Sequence, residues 1–330
     1  MSQTSSPYCV DTIKEYKTMN QFGETFIHAL PEYMDNLTIP GRAMFSGYRR
    51  QPITACTTQT NELQAVIGQV LHDPTTAIAQ LHAERAFQTF LNKDRTDSSV
   101  MRFFNGWNET HKTTSLVSIK IIMRLSADAI SVPAKKQSEY LRVMAHMHEV
   151  AKDDFGLGHP GHDGMYHHMA AAFDAIGWAE SQYSIKECIE FSKFLYNTGI
   201  ANHQSALESD EYENSIMDAM MTSIASELWN GREFNFIAQY IERKLISANP
   251  SLRTNAQGFR DAKGYVMGHS GEVENRHGLH AIAAAQAYAR TSNVPFEPRR
   301  LKEVMLDYNW RVGKAFEAIH RALRSPSDQS

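Results

Sequence analysis

From about residue 60 onward, apolar side chains recur at intervals of three and four positions, and the period-two alternation typical of half-buried strands is scarce. Such intervals place side chains along one face of an α-helix. Pro74 and Asp97-Ser-Ser stand where two of these segments begin, as a first-turn proline and an N-cap do. The pattern therefore predicts an all-α protein with helices over residues 61–71, 75–92, 100–127, 135–152, 163–177, 184–202, 210–229, 232–247, 271–290 and 298–323.

The first 59 residues are less regular, and prolines and glycines interrupt them repeatedly, at Pro31, Pro40, Gly41, Gly47 and Pro52. We expect residues 1–95 to form an accessory segment of helical and irregular structure. That segment would lie over a helical core formed by residues 96–330.

Composition narrows the functional classes. Thirty-three basic and 37 acidic residues leave a net charge of −4, which favours neither a nucleic-acid surface nor an anionic membrane as partner. No apolar run approaches the roughly 18–20 residues needed to span a bilayer, and no signal peptide is recognisable. Three widely spaced cysteines, Cys9, Cys56 and Cys188, indicate a reducing compartment rather than a disulfide framework. We expect a cytoplasmic protein.

Residues 146–168 contain six of the chain's 15 histidines, together with Glu149 and a glycine-rich break. A metal site and a hydrated loop between two helices both explain such a segment. For His146, His148 and His168 we favour the hydrated interpretation. For Glu149 and His162, which lie on either side of the break, both interpretations remain open.

A second candidate is Glu274-Asn-Arg-His277. On a helix, residues three apart lie about 60° from each other, so both side chains can face one interior point. His280 follows one turn after His277. Carboxylate and imidazole ligands together suit iron, manganese or zinc.

Two weaker candidates come from other helices. Glu109 and His111 point about 160° apart on a helix, so at most one of them enters a shared site, and we choose Glu109. Glu227 and Glu233, which flank Trp229, are further weak candidates.

The order of these features resembles the haem-oxygenase-like diiron oxidase and oxygenase superfamily. A helix with Glu149 precedes the turn Gly156-Leu-Gly158 and a histidine-bearing helix, and His269 through His277 follow about a hundred residues later. The resemblance implies a haem-oxygenase-like helical bundle with ligands on an early helix, around the turn and on a late helix. Carried over, the metal ligands are Glu109, Glu149, His162 or His159, His269, Glu274 and His277.

The resemblance further implies two Fe(II) ions that activate O2, and a non-haem iron oxidase or oxygenase acting on a small amino-acid-derived or related metabolite. Apart from this small-molecule substrate, the only partner considered is a second copy in a homodimer. No nucleic acid and no membrane is expected.

Two departures from the family pattern leave alternatives open. His269 precedes Glu274 by five residues instead of four, which on a regular helix turns it about 140° away. A π-bulge would restore the alignment. Otherwise His280 takes the third place, or the site holds a single iron. After the glycine turn, His159, His162 and His167 compete for one ligand position.

Two other functional classes also fit the sequence. The same fold carries metal-free enzymes that act on thiamin or quinone precursors, so a metal-free enzyme or cofactor-binding protein is the first alternative. A helical interaction protein with incidental histidines is the second.

Overall fold

A computed structural model of the chain describes residues 17–37, 57–152, 161–198 and 205–325. Within these ranges the chain forms α-helices and two short 3-10 helices (Ser181–Tyr183 and Pro250–Arg253), and it forms no strand, which confirms the all-α prediction. The α-helices are α1 (Met19–Asn36), α2 (Thr57–Leu71), α3 (Pro74–Leu91), α4 (Ser98–His111), α5 (Thr114–Asp128), α6 (Ala134–Ala151), α7 (His162–Ala172), α8 (Lys186–Asn197), α9 (Asp210–Ala248), α10 (Ala256–Gly268), α11 (Val273–Ala289) and α12 (Pro298–Arg324).

Helix α9 is the centre of the fold. Its 39 residues span about 58 Å at 1.5 Å per residue. Helices α1, α3, α5, α10, α11 and α12 all pack against it, and every residue from Ala219 to Phe234 is buried. A helix buried on all sides has no solvated face for its polar residues. The polar side chains in this stretch must therefore find partners inside the protein.

The predicted helix pattern differs from the structure in three ways. The helix predicted over 100–127 is two helices, because the chain turns at Lys112 and Thr113, where the Thr113 hydroxyl donates to the Ser192 carbonyl of α8 at 3.3 Å. The break predicted between 229 and 232 does not exist, and α9 continues through Gly231. Helices α1 and α10 were not predicted at all, and α1 includes Pro31.

The helix caps agree better with the sequence. Asp97 accepts hydrogen bonds from the backbone N–H groups of Ser99 and Val100 at 2.9 and 3.1 Å, and it caps α4 as predicted. Asp73 caps α3 ahead of Pro74.

Segments on both sides of the proposed boundary at residue 95 contribute to the same hydrophobic core, and α3 packs along α12. The division into an accessory segment and a core stays a prediction. None of the helices in the described residues combines the length and the apolar character that crossing a membrane requires.

A buried carboxylate joins α9 to α4. Glu233 is completely buried, and its Oε1 accepts hydrogen bonds from Trp107 Nε1 at 2.6 Å and from His111 Nε2 at 2.8 Å. Its Oε2 accepts from Trp229 Nε1 at 2.6 Å. Three donors of this kind compensate for the loss of water around a buried carboxylate.

We predict that Glu233→Ala destabilises the protein by about 3–5 kcal/mol, because both indole N–H groups and the imidazole lose their common acceptor in the interior. Urea denaturation would measure this change in the free energy of unfolding. The matched control is Glu242→Ala on the same helix, whose carboxylate forms a half-exposed pair with Lys263 and should contribute less than about 1 kcal/mol. Similar losses in the two variants would contradict the anchoring role of Glu233.

Candidate metal centre

Helices α9 and α11 bring two carboxylates and one imidazole together in the interior. Glu227 comes from α9, while Glu274 and His277 come from α11, and one donor atom of each lies within 4.8 Å of the others. The Nδ1 atom of His277 is 3.4 Å from Glu274 Oε2 and 3.6 Å from Glu227 Oε2. All three residues are buried. The sequence prediction that Glu274 and His277 face one interior point is confirmed.

Two glycines allow the helix backbones to approach closely at this point. A Cβ atom added to Gly278 of α11 would lie 2.9 Å from Leu228 Cδ2 and 3.7 Å from Glu227 Cβ. One added to Gly231 of α9 would lie 3.1 Å from Asn275 Oδ1 and 3.5 Å from the Cβ of Glu274. Gly231, which lies in the gap predicted between residues 229 and 232, therefore lets α9 and α11 pack closely.

The pKa values of the two carboxyl groups are shifted in opposite directions. Burial, together with the negative charge of Glu274, raises the pKa of Glu227 well above its usual range. Burial also acts to raise the pKa of Glu274, but a hydrogen bond with His277 and the charges of His277 and His269 outweigh it and lower that pKa. At neutral pH the pair therefore holds one proton, on Glu227, and one negative charge, on Glu274.

His269 reaches this region because the helix breaks. It is the C-cap of α10, the chain turns through Gly271 at φ +72°, and α11 begins only at Val273. The five-residue spacing to Glu274 is thus not a spacing along one helix, and no π-bulge is needed. His269 is buried, and its Nδ1 lies 2.6 Å from the carbonyl oxygen of Tyr265. Because a carbonyl oxygen can only accept, this hydrogen bond places a proton on Nδ1, as in many metal-binding histidines.

A second pair of imidazoles lies one turn further along α11. The Nδ1 atoms of His280 and His146 of α6 are 2.9 Å apart, and both side chains are buried, so the sequence interpretation of His146 as a hydrated residue is wrong. Burial lowers the pKa of His146 to about 3 and that of His280 to about 2, with further contributions from nearby positive charges. Both rings are therefore neutral. Among the described residues, nothing hydrogen-bonds the buried Nε2 of His146.

Two predicted ligands, Glu149 and Glu109, lie outside the trio of Glu227, Glu274 and His277. The Glu149 carboxylate at the end of α6 accepts from Lys152 Nζ at 2.6 Å. Glu109 pairs with Lys112, and of the two candidates on α4 it is His111 that points into the interior, where it binds Glu233. His162 is the first residue of α7, and the structure describes its backbone but not its side chain.

The remaining histidines of the 146–168 segment are distributed as follows. His148, His167 and His168 are exposed, which confirms the hydrated interpretation of His148 and His168. His159 lies outside the described residues.

The trio is suited to hold a metal ion. Ligands bound at about 2.0–2.2 Å lie up to about 4.4 Å from one another across a metal, close to the separations found here. Hard carboxylate oxygens with imidazole nitrogen favour iron, manganese or zinc. A dication would also replace the proton of Glu227 and remove the need to bury two carboxylates without a cation.

Glu227 was only a weak candidate from the sequence, although a signal existed. It lies in the stretch Ile224-Ala-Ser-Glu-Leu-Trp-Asn-Gly-Arg-Glu-Phe-Asn-Phe-Ile237, where apolar side chains fall on every side of the helix, so that no side is purely polar. A charge in a helix without a polar face has to be buried, and buried charges in proteins are paired or coordinate metals.

Comparison with known proteins gives no relative for this chain: no family model, no curated protein and no solved structure matches it.

Because the buried imidazoles of His146 and His280 are neutral, we predict that the folded protein loses stability at acidic pH. In the unfolded chain histidine takes up a proton near pH 6.5, whereas in the folded protein His146 and His280 do so only near pH 3 and pH 2. Between these values the unfolded state binds more protons, so stability is lost as the pH falls below about 6.5. Each of the two histidines should lower the free energy of unfolding by about 2 kcal/mol between pH 7 and pH 5.

His146→Leu should remove about half of that loss, as measured by urea denaturation of chelator-treated protein at several pH values. His148→Leu, an exposed position on the same helix, is the control and should leave the pH dependence unchanged. Equal pH dependence in the wild type and His146→Leu would show that the pair is not held neutral.

Proposed function

We propose that this protein is a non-haem iron-dependent oxidase or oxygenase whose metal centre is built on Glu227, Glu274 and His277. The observation that supports it is the fully buried group of two carboxylates and one imidazole at the crossing of α9 and α11. The late helix with Glu274 and His277 agrees with the haem-oxygenase-like resemblance, whereas Glu227 follows the glycine turn in the chain, where the resemblance expects a carboxylate that precedes it. The substrate would be a small amino-acid-derived or related metabolite.

In this proposal Glu227 takes the place that the resemblance assigned to Glu109. His269 joins from the turn before α11, with Nε2 as its donor. The imidazoles of His146 and His280, one turn further along α11, would supply the nitrogen donors for a second iron, and Glu149 would have to leave Lys152 to join them. The titration described below decides whether each chain binds one iron or two.

Iron bound at this centre would supply the reduction of dioxygen and the oxidation of the substrate. The chain supplies the surroundings. Glu227 releases its proton when a cation binds. Its raised pKa also allows the carboxylate to accept a proton again next to the reacting atoms. The rings of Phe234 and Tyr265, 5.0 and 5.3 Å from the His269 ring, form an apolar wall that excludes water.

The protonation of Glu227 also favours a second candidate. A carboxylic acid, a carboxylate and an imidazole within hydrogen-bonding reach form a general acid–base group that works without a metal. This agrees with the metal-free enzymes considered from the sequence.

Anaerobic titration of chelator-treated protein with Fe(II), followed by exposure to oxygen with visible absorbance recorded, tests the proposal. We expect one or two irons per chain and a new absorbance band after oxygen is admitted. Glu227→Ala, Glu274→Ala and His277→Ala should each weaken iron binding by at least tenfold. Glu242→Ala, an exposed position on α9, is the control and should bind iron as the wild type does.

The variants also separate the candidate functions. If the wild type binds no iron above background, the iron proposal fails and the acid–base candidate remains. If Glu109→Ala rather than Glu227→Ala loses iron, the centre has been placed on the wrong helix. Loss of only the second equivalent in His146→Ala would assign the imidazole pair to a second metal.

A further inference from the structure

Helices α3 and α12 pack side by side and run in the same direction. Asn309 Nδ2 donates a hydrogen bond to Thr76 Oγ1 at 2.8 Å. Further along both helices, a Cβ atom added to Gly313 would lie 2.7 Å from Ala79 Cβ. Because the contacts advance in the same order along both helices, the residues that follow Ala79 and Gly313 line the two sides of one groove.

The end of this groove opens into a surface cleft of about 420 Å³, a size typical of small-molecule sites. Among the described residues that line it, Glu317 is the one acid. The cleft is otherwise lined mainly by basic side chains, which are His82 and Arg85 of α3 and His320, Arg321 and Arg324 of α12. Two helices therefore contribute basic groups to the same space.

The protein neutralises little of this positive charge. Arg321 Nη2 donates to Glu187 Oε1 of α8 at 2.8 Å. Among the described residues, Arg85 and Arg324 form no ion pair, and their guanidinium groups make no hydrogen bond. Glu317 forms no ion pair with a described residue either. Two guanidinium groups thus keep their full sets of donors available for a ligand.

The basic groups also lie close enough to repel one another. Burial lowers the pKa of His320. The charges of Arg324, Arg85 and His82 lower it further. The negative end of a helix attracts cations, which accounts for Arg321 and Arg324 in the last turn of α12. It does not account for His82 and Arg85, which lie more than one turn before the end of α3.

Two exposed apolar side chains extend the groove toward the start of α3. Ile78 precedes Arg85 by seven residues, so the two share one face of α3, about two turns apart. Trp310 stands in the same relation to Glu317 on α12. Ile78 is 56% exposed and Trp310 47%, and Lys314 Nζ lies 3.6 Å from the centre of the Trp310 ring. The groove therefore passes from an apolar end to a basic one.

We propose that this cleft binds a phosphate group, free or as the monoester of a small organic molecule, between Arg85 and Arg324. Phosphate has several acceptor oxygens that point in different directions, which suits guanidinium donors from two helices. A carboxylate is planar, and a single guanidinium already satisfies it through two parallel hydrogen bonds. The exposed Ile78 and Trp310 offer an apolar surface to the organic part of a monoester. Because the cleft contains none of the proposed metal ligands, this site does not depend on the proposed function.

Isothermal titration calorimetry of chelator-treated, full-length protein with phenyl phosphate, benzoate and inorganic phosphate, at one ionic strength, tests the proposal. We expect phenyl phosphate to bind about tenfold more tightly than benzoate, because only the phosphate can contact both arginines. A monoester ligand predicts that phenyl phosphate also binds more tightly than inorganic phosphate, whereas equal affinities would assign the site to free phosphate. Without metal, the carboxylates of the candidate metal centre repel all three anions and do not compete for them.

Three variants and a matched control locate the site. Arg85→Gln and Arg324→Gln should each weaken the binding of phenyl phosphate about tenfold, because each removes a charge-assisted contact. Glu317→Gln should strengthen it about threefold, because it removes the negative charge from the cleft. Arg253→Gln changes the net charge of the chain by the same amount as Arg85→Gln but lies outside the cleft, and it should leave the affinity unchanged.

Equal affinity for phenyl phosphate and benzoate in the wild type would overturn the proposal, and this comparison needs no variant to fold. Absence of binding by either phosphate would do the same. An equal loss in Arg253→Gln and Arg85→Gln would also overturn it, because attraction to the overall charge of the protein would then explain the binding. None of these measurements involves metal, so a failure here leaves the iron proposal standing, and a failure of the iron titration leaves the phosphate site standing.

Discussion

The cost of burying charge in the middle of α9 governs how the other helices are arranged. Between Ala219 and Phe234 this helix has no contact with water, yet it carries Glu227, Arg232 and Glu233. Each has to be neutralised or hydrogen-bonded inside the protein. Glu233 is satisfied by donors from α4 and α9, and Glu227 by its own proton and by α11. Burial lowers the pKa of Arg232 to about 10, and the charges of Tyr308 and Glu233 act against that lowering, while its Nε donates to the Leu228 carbonyl.

Aromatic packing through Phe234 of α9 connects His111 of α4 to His269 at the end of α10. Phe234 lies between His111, whose ring centre is 5.1 Å away, and His269, at 5.0 Å. The hydrogen bonds that fix Glu233 and His111 therefore also support the ring against which His269 stacks. Such support from outside a site holds ligand side chains in place before any metal binds. The anchoring of α4 and the geometry of the candidate centre are parts of one packed arrangement.

The sequence by itself determined the helical class, the first-turn proline of α3, the cap of α4, and the pairing of Glu274 with His277, because these depend on residues close together along one helix. It did not reveal that Glu227 belongs with them, that His269 approaches across a turn, or that His146 meets His280. Those contacts join residues from different helices, and helix crossing angles and the close approach at Gly231 and Gly278 are set by side-chain packing across the whole core. Only the tertiary structure could therefore decide which of 15 histidines and many carboxylates share one site.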